Sequence, residues 1–201
     1  MDSIYGEYEQ VMKEVLSDLN DRFNRINEKR MSETGEHLYE HIISRLKSDE
    51  SMREKCRRKG LPEDTKSALC DLRDAIGVRV VCSFIDDIYD LVSLVRQFDG
   101  VDIIEEKDYI RHAKPNGYRS YHMILQLHPA AAEEMEIKDF YVEMQLRTIA
   151  MDSWASLEHK MKYKKDIRNQ AMIESELKRC ADELAGCDLS MQTIRDLIRQ
   201  S

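Results

Sequence analysis

Two carboxylates far apart in the chain each stand beside arginines. They are Asp74, in Arg73-Asp74-Ala75-Ile76-Gly77-Val78-Arg79, and Glu143, in Val142-Glu143-Met144-Gln145-Leu146-Arg147-Thr148. Between them come Lys107-Asp108-Tyr109-Ile110 and Lys114-Pro115-Asn116-Gly117-Tyr118-Arg119-Ser120-Tyr121-His122. Carboxylates that can share a divalent ion, flanked by cations and by a tyrosine after an Asn-Gly turn, are the equipment of nucleotide phosphate chemistry. R-D-x-x-G-x-R alone is a weak signal, and the ordered set of three is far stronger. Each acid also has a plainer reading. Asp74 could pair with Arg73 or Arg79, and Glu143 with Arg147 on the same strand face.

A second concentration of charge precedes Asp74. Residues 45–59 hold seven basic residues (Arg45, Lys47, Arg53, Lys55, Arg57, Arg58, Lys59) against three acids (Asp49, Glu50, Glu54). Lys55 and Arg58 are three apart and share a helical face. Such a run is either a solvated helix face or a local site for a polyanion such as a triphosphate. The formal net charge of −8 opposes nonspecific nucleic-acid binding, which relies on cations that displace counterions.

In their order these motifs resemble the synthetase domain of the RelA/SpoT family, the (p)ppGpp synthetases, and by length its small alarmone synthetase branch. Arg45-x-Lys47, Glu54-Lys55-x-x-Arg58-Lys59-Gly60 and Met151-Asp152-x-Trp154-Ala155-Ser156-Leu157-Glu158-His159-Lys160 extend the resemblance over roughly residues 40–165. The resemblance implies a mixed β-sheet of nucleotidyltransferase-like type flanked by helices, an α/β (α+β) fold. It implies transfer of pyrophosphate from ATP to the 3′-hydroxyl of GTP or GDP, with AMP leaving, a reaction governed by positioning and electrostatics.

Residue by residue, Asp74 and Glu143 match the family's Mg2+-binding positions, and Glu143 is also the candidate acceptor of the 3′-hydroxyl proton. Arg45, Lys47, Lys55, Arg58 and Arg79 match ATP-binding positions, with Glu158 near that site. Lys107, Lys114, Tyr118, Gln145 and Arg147 match the guanosine-nucleotide site. Tyr118 is either a stacking platform for a purine or a core tyrosine. His122, four residues on along the same strand face, either contacts phosphate or satisfies a core hydrogen bond.

Two departures qualify the match. Glu105-Glu106-Lys107-Asp108 mixes the R-x-K-D and E-x-D-D patterns of the family, which leaves the acceptor open among GTP, GDP and GMP. Asp152 stands where some relatives carry asparagine. The chain has no His-Asp dipeptide, so a synthetase without the hydrolase half is expected. It has neither G-x-x-x-x-G-K-[ST] nor G-x-G-x-x-G, which excludes the commonest other nucleotide folds. A toxin-like relative acting on the tRNA 3′ end would need a broad basic surface, and a catalytically silent regulator would be expected to lose a carboxylate.

Composition agrees with a single domain carrying helical appendages: 201 residues, 42% hydrophobic and 35% charged. No run approaches the roughly 18 apolar residues of a membrane span, and the acidic N-terminus does not read as a signal peptide. Five cysteines without a CxxC pair suit reduced thiols, so a cytoplasmic protein is expected.

The elements that must position the motifs follow from periodicity. Ile4, Tyr8, Val11, Val15, Leu19, Phe23 and Ile26 mark an amphipathic helix over 2–30, broken at 31–36. A basic helix over 50–60 should stop at Gly60 before Leu61-Pro62, with another helix from Glu63 to Leu72. Ile76–Phe84 reads as a strand buried on both faces. A helix over 86–98 follows, then strands near 101–105, 118–127 and 137–147 and a helix over 149–164. In the last 35 residues Ile173, Leu177, Cys180, Leu184, Cys187, Met191, Ile194 and Ile198 form a heptad seam. That seam either covers its own protomer or joins subunits, and the family resemblance favours a homo-oligomer, a tetramer. The expected division is an N-terminal helical extension over 1–36, a catalytic domain over 37–166 and a C-terminal helix over 167–201.

Overall fold

The computed structural model describes residues 3–162 and 169–200. The expected end of the 149–164 helix and the 166/167 boundary lie outside the described residues. The order is α1 (Tyr8–Thr34), β1 (His41–Leu46), α2 (Asp49–Lys59), β2 (Ile76–Cys82), α3 (Ile85–Val95), β3 (Val101–Asp108), β4 (Tyr121–Leu127), β5 (Phe140–Thr148), α4 (Ile149–Lys162) and α5 (Gln170–Arg199). The strands form one mixed sheet in the order β1-β2-β5-β4-β3. β2 and β5 pair in parallel, and the other neighbours are antiparallel.

One face of the sheet is the core. Ile76, Val78 and Val80 from β2, Val142, Met144 and Leu146 from β5, and Met123 and Leu125 from β4 are buried there. They meet Val11, Met12, Val15, Leu19 and Phe23 of α1 and Ile88, Leu91, Val92 and Val95 of α3 in one cluster. The apolar stripe of α1 is thus buried as its period requires. The helix ends at Gly35, whose φ of 76° lets its N–H close on the Met31 carbonyl at 2.9 Å. α2 starts on Ser48, with Asp49 and Glu50 in its first turn, and stops at left-handed Gly60 after Arg57, Arg58 and Lys59. Those charges complement the helix dipole at both ends.

Four expectations change. β1 was not anticipated, because it is an edge strand whose alternation exposes His41, Ile43 and Arg45. The helix expected over Glu63–Leu72 is largely a five-residue π-helical turn, Ser67–Asp71, closed by Leu72 N–H on the Ser67 carbonyl. β2 is not buried on both faces: Gly77 and Arg79 are half-exposed on the face away from the core. The strands expected at 118 and 137 begin at Tyr121 and Phe140, because the preceding residues form loops.

The C-terminal seam also differs. α5 buries Ala181, Asp188, Gln192 and Arg195, while Cys180, Cys187, Met191, Ile194 and Ile198 of the expected seam are exposed. Leu177 and Leu184 of the seam, with Ala181, pack on Trp154 and Ala155 of α4, and polar contacts hold the rest of the helix. Arg195 donates to Asp87 at 2.9 Å and lies 4.2 Å from the Phe84 ring centroid, Gln192 donates to Asp86, and Thr148 donates to Asp188 at 2.7 Å. Burial pushes the Asp87 carboxyl above its usual range, against the pull of Arg195. Removing one partner of such a pair strands the other in a poor solvent for charge. Arg195→Ala should therefore cost about 3–5 kcal/mol in urea unfolding, and Asp87→Asn with Arg195→Met should recover much of it. A loss below about 1 kcal/mol, the worth of an exposed pair, would show that the pair does not anchor α5.

Candidate active site

The face opposite the core carries the residues singled out by chemistry, and strand register fixes their order. One row across the sheet runs Arg45, Gly77, Glu143, Ile124, Glu105. The next runs Ile43, Arg79, Gln145, His122, Lys107. A register shift between Ile103 and Glu105 in β3 brings Glu105 and Lys107 onto this face together. There they form an ion pair, which raises the Lys107 ammonium. Gly77 has no side chain between Arg45 and Glu143, so the floor opens into a pocket lined by Ile43, Arg45, Gly77, Arg79, Glu143 and Gln145.

Asp74 stands two residues before β2 and pairs with neither Arg73 nor Arg79. Lys47, just after β1, and Lys55, on α2, both bind its Oδ2. Burial pushes this carboxyl up, but the hydrogen bonds from the two lysines outweigh it and hold the group below the usual carboxylate range. Its Oδ1 is buried and has no hydrogen-bond partner. An unmatched carboxylate oxygen beside a phosphate-sized cluster of cations suits a hard divalent cation, which takes few protein ligands and completes its shell with phosphate oxygens and water. Among the described residues, no group of three or more His, Cys, Asp or Glu side chains could hold a metal alone. Arg58, one turn beyond Lys55, and Arg45 are exposed to solvent.

Arg147 is the hub of the other side. Its side chain is 6% exposed and pairs with Asp152 at 2.8 Å, not with Glu143. It donates to Tyr118 Oη and to Gln145 Oε1, each at 2.9 Å. Asp152 also receives Arg79 at 3.3 Å, so one carboxylate lies between a guanidinium of β2 and one of β5. Burial and the Arg147 charge lower the Arg79 guanidinium. Tyr118 Oη lies 2.7 Å from His122 Nε2. Tyr109 joins the cluster edge-on, 6.2 Å from Tyr118 and 5.3 Å from His122 between centroids.

The loop that carries Tyr118 is gripped by α5. Gly117 has φ of 90°, and a Cβ there would meet the Ala181 Cβ at 2.6 Å, so both conformation and space require glycine. Arg119 donates to the Gly117 and Ala181 carbonyls and pairs with Asp182 at 2.9 Å. Glu158 of α4 accepts from Asn116 at 3.4 Å and so reaches this loop. The sequence reading passed over Tyr109 and Arg119. Both lie inside the quoted motifs, and only the fold shows that they touch Tyr118 and α5.

His122 is half-buried, with three cations around it and Glu143 Oε1 3.9 Å from its Nδ1, and burial with Lys114, Arg147 and Lys107 lowers its pKa from the ordinary 6.5 to about 4. The unfolded chain therefore takes a proton that the folded chain refuses. The stability from neutral His122 is whole above about pH 6.5 and is lost as pH falls towards about 4. Without metal or nucleotide, His122→Asn should remove about 2–3 kcal/mol of the wild-type stability loss between those limits. Parallel pH profiles of wild type and variant would refute this.

Comparison with known proteins agrees with this geometry. Residues 44–168 match the family described as the region found in RelA/SpoT proteins. The chain is 41% identical to the GTP pyrophosphokinase YwaC of Bacillus subtilis over 187 residues, covering 92% of this chain and 87% of that protein. The crystal structure of small alarmone synthetase 2 from Bacillus subtilis superposes with a TM-score of 0.79 at 38% identity, over 93% of this chain and 95% of that one. Small alarmone synthetase 1 from the same organism, bound to its product pppGpp, gives 0.80 at 28% identity, over 93% and 94%. The mixed sheet, its charged open face and these similarities agree along most of the sequence, and the chain belongs to the RelA/SpoT family.

Proposed function

We propose that this chain is a GTP/GDP pyrophosphokinase that transfers the β,γ-pyrophosphate of ATP to the 3′-hydroxyl of GTP or GDP, giving (p)ppGpp and AMP. The observation that carries this is the order of groups across the open face. Arg45, Lys47, Lys55 and Arg79 gather at the β1–β2 side, while His122, Lys107 and the Tyr118 loop lie at the β4–β3 side. Glu143 and Gln145 stand between them on β5. A donor triphosphate on the first side and an acceptor ribose on the second would meet over Glu143.

Each group then has a task. Lys47, Lys55 and the exposed Arg58 neutralise the triphosphate, while Arg45 and Arg79 flank the adenine pocket around Gly77. Tyr118, held by Arg147 and His122, presents its ring to guanine, and Lys107 and Lys114 face the acceptor's phosphates. Glu143 takes the proton of the 3′-hydroxyl as that oxygen bonds to the β-phosphorus. The bond from the β-phosphorus to the bridging oxygen of AMP breaks, and AMP leaves. Asp74 and Glu143 would hold Mg2+, which would supply further charge neutralisation at the triphosphate.

The family match over residues 44–168 supports a catalytic domain over 37–166 with helical extensions at 1–36 and 167–201. No helix among the described residues is long and apolar enough to cross a membrane, and all five cysteines are free, in keeping with work in the cytoplasm. We further propose a homo-oligomer, a tetramer, assembled on α5. Leu189, Met191, Ile194, Leu197 and Ile198 are each at least half exposed and share this one helix, an apolar stripe of the kind that partners cover.

Two measurements test these readings. With ATP, GTP and Mg2+, Glu143→Gln should slow release of AMP by about 100-fold or more, as loss of a general base does, and Asp74→Asn likewise. Near-normal turnover in either variant would remove that residue from the mechanism. Light scattering at micromolar concentration should show an oligomer that Ile194→Lys with Leu197→Lys dissociates while the far-UV spectrum stays folded. A monomeric wild type would sink the assembly.

A further inference from the structure

We propose that Lys114 is a displaceable cap on the acceptor site, and that it makes the site discriminate for phosphorylated guanosine over the bare nucleoside. This rests on the reading of the Tyr118 loop as the guanosine-nucleotide site. The cap follows from what already occupies the rings. Lys114 Nζ lies 4.5 Å from the Tyr109 ring centroid and 4.9 Å from that of Tyr118. Arg147 Cζ lies 5.3 Å from the same Tyr118 ring, and Trp154 packs on it at 6.5 Å. A base that stacks on Tyr118 must displace one of these neighbours.

Their anchorage decides which one. Arg147 is buried and held by Asp152, Tyr118 and Gln145. Trp154 is 4% exposed and donates its indole N–H to the Leu177 carbonyl at 2.8 Å. The Tyr118 ring cannot turn aside, because Arg147 and His122 both hold its hydroxyl. Lys114 is exposed, and its ammonium makes no ion pair among the described residues. The backbone of its loop is pinned, with Lys114 N–H on the Tyr118 carbonyl and Gly117 N–H on that of Lys114. The lysine stem is therefore the part free to swing. Guanine entry breaks the contact of the ammonium with the two rings, a contact of modest strength at an exposed site.

The two kinds of ligand then fare differently. Guanosine offers the released ammonium no anionic partner, so little offsets the cost of uncapping. A nucleotide offers phosphate oxygens, and a charge-assisted hydrogen bond to the same ammonium more than offsets that cost. One residue thus works against the nucleoside and for the nucleotide.

That double sign is the test. Binding of guanosine and of GDP to the full chain is followed by NMR, which reads millimolar affinities and also the ring-current shift of the Lys114 side-chain methylenes. Lys114→Ala should bind guanosine about two- to fivefold tighter than wild type and GDP about tenfold weaker or more. In wild type, either ligand should abolish the ring-current shift. Lys114→Gln, which keeps the stem without the charge, should behave as Lys114→Ala does and covers the case in which the alanine variant fails to fold. Guanosine affinity unchanged or lowered in both variants, or guanosine binding undetectable in all three proteins, overturns the cap. If instead neither Lys114→Ala nor Tyr118→Ala weakens GDP, the loop is not the acceptor site, and the reading beneath the cap fails with it.

Discussion

The parallel pairing of β2 with β5 is the constraint on which the site depends. It sets Gly77 opposite Glu143 and Arg79 opposite Gln145, and every other functional position is aligned to those two pairs. Val78 and Met144, one residue along, belong to the core, with Val80 and Leu146 beyond them. A one-residue slip would turn the valines and the methionine to solvent and bury the charged row, so burial of one face enforces the chemistry of the other. Parallel strands need a long crossover, here α3, β3 and β4, which adds His122 and Lys107 to the same sheet. The order β1-β2-β5-β4-β3 thus sets the cations of β1 and β2 and the His122–Lys107 row on either side of one strand.

Much of the charge within the face is paired locally. Lys47 and Lys55 share Asp74, Arg79 and Arg147 share Asp152, and Lys107 has Glu105. Buried cations need such partners because desolvation of an unpaired charge costs several kcal/mol or more. The pairings are incomplete in places: Asp74 Oδ1, Arg79 Nε and Arg147 Nε are buried without hydrogen-bond partners. Unsatisfied polar atoms in a native structure call for an explanation, and here all three lie in the face that an ion and two nucleotides would fill. Burial first, and then the charges of Lys114, Arg147 and Lys107, disfavour a proton on His122.

Beyond Leu184, which still packs with Leu177 and Ala181 on Trp154, α5 inverts the usual amphipathic arrangement. Its inward face carries Asp188, Gln192 and Arg195, and much of its apolar content points out. The inward polar groups are matched one by one, to Thr148, Asp86 and Asp87, which fixes the helix axially and not merely by area. That precision reaches the Tyr118 loop. Thr148 both donates to Asp188 and accepts the Met151 N–H at the start of α4. Further along α5, Ala181 and Asp182 hold Gly117 and Arg119. A helix far from the sheet in sequence therefore sets the position of the Tyr118 ring.

Much of this was legible in the residues alone. The acids, the cations and the turn before Tyr118 are set by short motifs, because a strand or a turn dictates which neighbours share a face. The helix end at Gly60 was readable for the same local reason, whereas α1 continues to Thr34, past the expected end at 30 and into the expected break. β1 was not, because an exposed edge strand of six residues leaves too little apolar alternation to detect. Partner choice was not readable either. Strand periodicity put Glu143 and Arg147 on one face, yet Asp152 takes Arg147 because the turn from β5 into α4 folds it back onto the strand end. The α5 heptads showed that a stripe exists but not which way it points. Sequence determined the chemistry available and the local elements that carry it. Tertiary structure decided which charge meets which and which side of α5 faces in, because those energies belong to pairs of surfaces, and a periodicity describes only one of them.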